Sequence, residues 1–328
     1  MPNKVLSWGL LSTARINRAL IPPLRASKRN QLLAVASRTE ESAETYAREW
    51  KIPRSHGSYE ALLADPEIDV IYNPLPNHLH AEWTIKAVEA GKHVLCEKPL
   101  ALTVDEVDAI EVAARQNGRV VAEAFMYRHH PQTLKVQELV DKGSIGELSL
   151  IRGSFTYVLS GEGDVRLDPA MGGGSIWDVG CYPISYARTV VGSNPLEVFG
   201  WQVTAPTGID QTFVGQMSFE GGVFAQFDSS FAIPFQTYME IVGSEGSLKI
   251  PRPFKPGEDE KIYLTRGGKT ETLKIKGQEL YIGEVEDMAD AILLSREPRI
   301  SLEDSRLNVA VIVALLESAR SGRVVRLR

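Results

Sequence analysis

Two side chains in the segment GGGSIWDVGCYPI have types that could share work on a proton. Asp178 and Tyr182 lie four residues apart, and on a helix that spacing places them on one face. A carboxylate that accepts a hydrogen bond and a phenol that exchanges a proton suit chemistry at an alcohol or a carbonyl. The run Gly172-Gly173-Gly174 before them allows a sharp bend or a close approach to a ligand. Spacing alone leaves a plainer alternative open, in which Tyr182 packs along its helix and Asp178 acts as a cap. Lys98, in AGKHVLCEKPLA, ends an apolar run that reads as a parallel strand. Doubly wound folds bind their ligands at such carboxyl ends, and Pro99 stops the strand there.

A second set of residues could hold a nucleotide. VLSWGLLSTARINRALIPPL has the order of an apolar strand, a small-residue corner and an amphipathic helix. In the G-x-G-x-x-G frame the three positions are Ser12, Ala14 and Asn17. Ser and Ala are the smallest side chains after Gly, so a corner of Ser12, Thr13, Ala14, Arg15 and Ile16 still lets an anion reach the first amides of the helix. Asn17 is the departure, with a side chain able to hydrogen-bond locally. The next strand, QLLAVASR, ends in Ser37-Arg38, where NAD-binding chains carry an acid. Glu40 and Glu41 fall inside the following helix. An arginine fork suits a 2′-phosphate, so the expected cofactor is NADP(H) rather than NAD(H). An ordinary strand–helix turn and an ordinary exposed arginine are the competing readings.

These residues need elements to position them. Up to about residue 123 strands and helices alternate: KVLSWGLL, QLLAVASR, DVIYNPLP, KHVLCEKP and RVVAEAF read as strands, separated by helices such as TEESAETYAREW and TVDEVDAIEVAARQNG. Such alternation implies right-handed crossovers and a parallel sheet. Beyond it come a helix in HPQTLKVQELVDKG, a long strand LSLIRGSFTYVL and a helix in IWDVGCYPISYARTVVG, broken near Pro183. Successive strands punctuated by Gly221–Gly222, Gly243–Gly246 and Gly267–Gly268 follow, then two closing helices. The expected fold is α/β: a doubly wound Rossmann domain over residues 1–123, then an α+β domain with an open, largely antiparallel sheet over 124–328. In VFAQFDSSF, Phe224 and Ala225 point oppositely, so one sheet face is left apolar unless a partner covers it. A homodimer or homotetramer is therefore expected.

Composition excludes several classes. The 328 residues are 43% hydrophobic and 24% charged, with a formal net charge of −6, and no Lys/Arg-rich run points to nucleic acid. The longest apolar run, Val309–Leu316, is far short of the ~20 residues that span a bilayer, and the N-terminus lacks a signal-peptide pattern. Cys96 and Cys181 lie far apart, which fits a reducing cytoplasm. His78 and His80, two apart with no third ligand nearby, make a poor zinc site, and no metal is expected.

Five motifs in order along nearly the whole chain, WGLLSTARI, ASR, YNPLPNHLH, AGKHVLCEKPLA and GGGSIWDVGCYPI, resemble the glucose–fructose oxidoreductase/inositol dehydrogenase (Gfo/Idh/MocA) family. The STARIN corner, and Tyr182 where inositol-dehydrogenase-type members carry histidine, resemble the branch with D-xylose-type sugar dehydrogenases, dihydrodiol dehydrogenases and anhydrofructose reductases. That resemblance implies NADP-dependent hydride transfer to or from a sugar, such as D-xylose or D-glucose giving a lactone, or a related cyclic polyol. It implies Lys98, Tyr182 and Asp178 as the catalytic set. Tyrosine is a poor base at its reference pKa near ~10, and the Lys98 ammonium, arriving from the other domain, would favour the phenolate. It further implies cofactor contacts from Pro74, Leu75, Asn77, His80, Glu97 and Lys98, and substrate contacts from Arg128, Asp178 and Tyr182. Met126 and Tyr127 are candidates to line the sugar site, while His129 and His130 suit capping or packing at least as well. Two rivals are a non-catalytic NADP-binding regulator, which should lack the lysine or the Asp/Tyr pair, and a dinucleotide-dependent glycosidase, which should give no net NADPH change with free sugars.

Overall fold

The computed structural model describes residues 4–161 and 163–327. The chain forms two compact units, Met1–Met126 with Tyr281–Arg306, and Tyr127–Leu280 with Leu307–Arg328.

The first unit holds six parallel strands: β1 (Leu6–Leu10), β2 (Asn30–Ala36), β3 (Arg54–His56), β4 (Val70–Asn73), β5 (His93–Glu97) and β6 (Val121–Ala124). Their order is 3-2-1-4-5-6, the doubly wound order with its switch point between β1 and β4. The connections carry α1 (Asn17–Ala26), α2 (Glu40–Trp50), α3 (Tyr59–Ala64), α4 (His80–Glu89) and α5 (Val104–Asn117). Local signals explain the helix ends. Thr39 accepts the Ser42 amide at the start of α2, and Thr103 and Glu106 form a reciprocal capping box on α5. Gly118 closes α5 in the left-handed conformation. β1 is buried along its whole length, so it reads as an unbroken apolar run rather than an alternation. The three-residue edge strand β3 was not visible as a strand in the sequence.

The second unit begins with α6 (Pro131–Asp141), β7 (Leu148–Thr156) and α7 (Cys181–Val191). It continues through β8 (Glu197–Thr204), β9 (Asp210–Ser218), β10 (Phe224–Ser230), β11 (Gln236–Gly243), β12 (Gly246–Ile250), β13 (Asp259–Arg266) and β14 (Lys269–Lys276). Last along the chain are α8 (Ile282–Leu293), which belongs to the first unit, α9 (Leu302–Ser321) and β15 (Val325–Arg326). The nine-stranded sheet has the order 14-13-12-11-7-10-9-8-15, antiparallel except where β7 and β10 run parallel. Buried Phe213, Met217, Ala225 and Phe227 make its inner face. Gly200 and Gly215 leave room on that face for the rings of Phe213 and Phe227, which fill the space a Cβ would take, with Leu315 on α9 next to them.

Two expectations differ from the structure. The segment Tyr281–Arg306, placed by sequence in a second domain over 124–328, packs with the first unit. In α8, Val285, Met288 and Ala289 share the core of Leu6, Trp8 and Leu20. Arg29 anchors α8 through Glu286 at 2.7 Å and Asp290 at 2.5 Å. The helix expected to break near Pro183 runs through it. Pro183 sits in the first turn of α7, where a missing N–H costs little, and the irregularity lies earlier, in a π-helical turn at Ile176–Gly180.

No helix among the described residues is long and apolar enough to cross a membrane. Cys96 and Cys181 are buried and unbridged.

Candidate active site

In the first unit the corner after β1 is tied by its own polar groups. The Asn17 amide donates to the Ser12 carbonyl at 2.7 Å, and the Ala14 amide donates to Ser12 Oγ at 3.2 Å. The non-glycine residue in the third slot is thus tied into the corner by its own side chain. No side chain caps α1, and Ser12, Thr13, Ala14 and Ile16 are half-buried with Arg15 exposed. The first amides of α1 turn onto backbone carbonyls, Asn17 onto Ala14 at 3.1 Å and Ala19 onto Ile16 at 2.9 Å, and the positive helix end, with no side-chain cap, suits an anion. At the end of β2, Ser37 is buried and Arg38 exposed, with no carboxylate at the strand end. The Tyr59 phenol is pushed up by burial and pulled back by the charge of Arg38. Tyr59 in turn meets Trp83 edge-on at 5.0 Å. This donor set suits a phosphate rather than a free ribose hydroxyl.

At the ends of β4 and β5, Pro74 and Leu75 are buried and Asn77 opens a short 3₁₀ turn before α4. His80 was expected to contact cofactor. Its ring is fully buried, Nδ1 lying 2.7 Å from the Pro99 carbonyl and Nε2 2.6 Å from the Leu75 carbonyl. It therefore ties the Leu75 loop to the Lys98-Pro99 turn. Burial holds its pKa down to about 4, against the two carbonyls that favour the charged form. Tyr72 donates to Glu97 from a fully buried position. Lys98 is half-buried and precedes a cis peptide bond to Pro99.

In the second unit the glycine run leads into the π-helical turn, where the Cys181 amide reaches back five residues to the Ile176 carbonyl. Such turns interrupt regular α spacing and recur at functional sites, so the simple i, i+4 stripe expected for Asp178 and Tyr182 is replaced by a wider one. Tyr157 donates to Asp178 Oδ2 at 2.7 Å, and Arg166 Nε lies 3.2 Å from the same oxygen. Burial and the Asp178 charge push the Tyr157 phenol well above its usual range, so it stays a donor. Tyr182, 5% exposed, has its ring among Phe155 at 5.4 Å, Phe254 at 5.6 Å and Tyr127 at 5.8 Å. Gly153 on β7 admits Pro183, whose Cβ would lie 3.0 Å from a side chain there.

Arg128 is buried and donates to Ser185 Oγ at 3.2 Å. His130 accepts the Gln132 amide at 3.1 Å and so caps α6, while its Nε2 lies 3.1 Å from the Gly257 carbonyl. Tyr127 stacks on Tyr186 at 5.7 Å. Tyr157 and Arg166 were not singled out in the sequence. They lie 21 and 12 residues before Asp178, in a strand end and a loop with no motif of their own.

Residues 6–125 match an oxidoreductase family with an NAD-binding Rossmann fold, and residues 133–249 match the GFO/IDH/MocA C-terminal domain. The chain is 37% identical to D-xylose 1-dehydrogenase (NADP(+)) 2 of Haloferax volcanii, covering 98% of this chain and 100% of that protein. It is 33% identical to the trans-1,2-dihydrobenzene-1,2-diol dehydrogenase of Danio rerio, over 75% of this chain and 74% of that one. The crystal structure of an aldose-aldose oxidoreductase from Caulobacter crescentus, complexed with glycerol, superposes with a TM-score of 0.92. Its identity is 26%, covering 99% of this chain and 100% of the other.

Proposed function

The chain belongs to the Gfo/Idh/MocA family of oxidoreductases, and from that membership we propose an NADP-dependent dehydrogenase that oxidises a pyranose aldose, such as D-xylose or D-glucose, to its lactone. The observation that carries the sugar reading is the Asp178 carboxylate, held by Tyr157 and Arg166 in the turn that leads into Tyr182. A fixed carboxylate accepts a hydrogen bond from a sugar hydroxyl and orients the ring. The similarity to a D-xylose dehydrogenase and an aldose-aldose oxidoreductase supports the same substrate class.

When bound, NADP+ would supply the carbon that accepts the hydride. The chain's own residues hold it and handle the proton. The uncapped start of α1 and the Ser12–Ile16 corner would hold the pyrophosphate, and Arg38 would hold the 2′-phosphate. Pro74, Leu75, Asn77, Glu97 and Lys98 form the strand-end surface for the rest of the cofactor. His80 keeps that surface in shape through its two carbonyl partners. As the hydride leaves the alcohol carbon, the O–H proton would pass to Tyr182 acting as phenolate, a form that the Lys98 ammonium would favour. The product is a carbonyl, a lactone where the alcohol is the anomeric hydroxyl. Arg128, with Ser185 as its partner, adds a positioning cation to the substrate side.

A panel of aldoses and cyclitols, each tested for NADP+ reduction, checks this reading. NADPH formation with one or more aldoses is the expected outcome, with cyclitols poorer. Silence across the panel, together with unaltered sugars, would reject it.

A further inference from the structure

Asp210 opens β9 and is 4% exposed, yet it takes no part in the chemistry described above. Its Oδ2 accepts the Ser175 hydroxyl at 2.7 Å and the Ile176 amide at 2.7 Å. Ser175 Oγ in turn lies 3.0 Å from Ser229 Oγ on β10. Gly174, at a φ of 128°, lies against this carboxylate so closely that a Cβ would run into Oδ1. At the other end of the turn, a Cβ on Gly180 would lie 3.0 Å from the Ser229 hydroxyl. Residues 174–180 are therefore seated between Asp210 and Ser229, and the Asp178 amide closes the turn on the Gly174 carbonyl at 3.1 Å.

We propose that Asp210 is a positioning residue, whose carboxylate fixes the start of the helical turn on which Asp178 and Tyr182 stand. The inference rests on the reading of those two as site residues. An ionised carboxylate complements the free amides and positive end of a helix start. Burial works against that charge and raises the acid to about 6 in spite of its donors. The charged side chains on the elements around it have other partners. Asp178 binds Tyr157 and Arg166, Asp168 accepts the Ala170 amide, and Asp228 accepts the Ser154 hydroxyl. On protonation at Oδ1, Oδ2 keeps its two donors but the negative charge is lost, so both hydrogen bonds and the complement to the helix start weaken. Above the midpoint the turn is held; below it the turn loosens and turnover falls.

Trp177, inside the turn and 7% exposed, reports this without any need for catalysis. In the full chain labelled with 5-fluorotryptophan, the Trp177 fluorine resonance is assigned by its loss in Trp177→Phe. It should show a titration step with a midpoint near 6. Ser175→Ala removes a donor to the carboxylate and should move the midpoint upward, and Asp210→Asn should abolish the step. With the aldose found in the panel, kcat of wild type should fall through the same midpoint. Asp210→Asn should lower kcat on the order of tenfold or more through misplacement of the site groups, leaving NADP+ affinity unchanged. A step that persists in Asp210→Asn, a midpoint that Ser175→Ala leaves in place, or normal turnover in Asp210→Asn would overturn the inference. If Asp210→Asn does not fold, the Ser175→Ala midpoint decides alone. A Trp177 step governed by Asp210 in a protein that oxidises no sugar supports the positioning role and sinks the functional reading instead.

Discussion

Arg38 stands exposed at the end of β2 where a ribose-binding acid would otherwise be. One charged hydrogen bond is worth about 1.5–3 kcal/mol, so Arg38→Ala should weaken NADP+ selectively, by roughly 10- to 100-fold, and leave NAD+ nearly unchanged. Calorimetry with both cofactors measures this; equal wild-type affinities, or equal losses on mutation, would remove Arg38 from the 2′-phosphate. The identity of this arginine was legible in the sequence because a strand end and the position after it can be counted. The partners of Asp178 were not. Tyr157 and Arg166 reach it through the fold of β7 and the loop beyond, a relation that leaves no periodic trace in the chain. His80 shows a converse case: its place in YNPLPNHLH was plain, but its role as a buried tie between two carbonyls needed coordinates.

The strand–helix alternation of the first unit was legible because capping residues such as Thr39 and Thr103, and stops such as Gly118, act locally. The π-helical turn at Ile176–Gly180 was not, since it depends on Asp210 and Ser229 from two separate strands. Nor was the return of α8 to the first unit, which rests on long-range packing and on Arg29. Within that unit β5 and β6 are joined by a side chain as well as by their ladder. His93 Nδ1 accepts the Val120 amide at 2.9 Å, and burial lowers its pKa from 6.5 to about 4. A histidine with a depressed folded-state pKa stabilises the fold above its unfolded value and loses that contribution as pH falls. The melting temperature should therefore decline between pH 6.5 and about 4, and His93→Gln should flatten the decline. An identical pH slope in mutant and wild type would show that His93 does not titrate in this way.

The outer face of the nine-stranded sheet bears on the whole molecule. Phe224 is 55% exposed beside Ala225 at 2%, and Trp201 and Val203 are 55% and 58% exposed on β8. Trp201 faces Val214 across the ladder and packs on Phe199 at 4.3 Å. Leu150, Phe199, Phe224 and Val324 line a groove of about 370 Å³ there. Apolar surface of this extent on a sheet calls for a cover, and a second copy presenting the same face is the assembly we predict, as a homodimer or dimer of dimers. Light scattering at micromolar concentration should give a multiple of 36.2 kDa, and Trp201→Glu with Phe224→Glu should reduce it to the monomer. A wild-type monomer would reject the assembly.

The central claim is that this chain oxidises a sugar with Tyr182 and Lys98 acting as one proton-handling unit. The direct measurement is the rate of NADPH formation from the preferred aldose by wild type, Tyr182→Phe, Lys98→Met and the double mutant. Each single change should remove most of the turnover; Tyr182→Phe should leave NADP+ affinity unchanged, and Lys98→Met should keep the Arg38-dependent preference for NADP+ over NAD+. The double mutant should be little worse than either, because groups that act together are not additive. Near-normal turnover in Tyr182→Phe, or losses that simply multiply, would contradict the account and send the proton elsewhere.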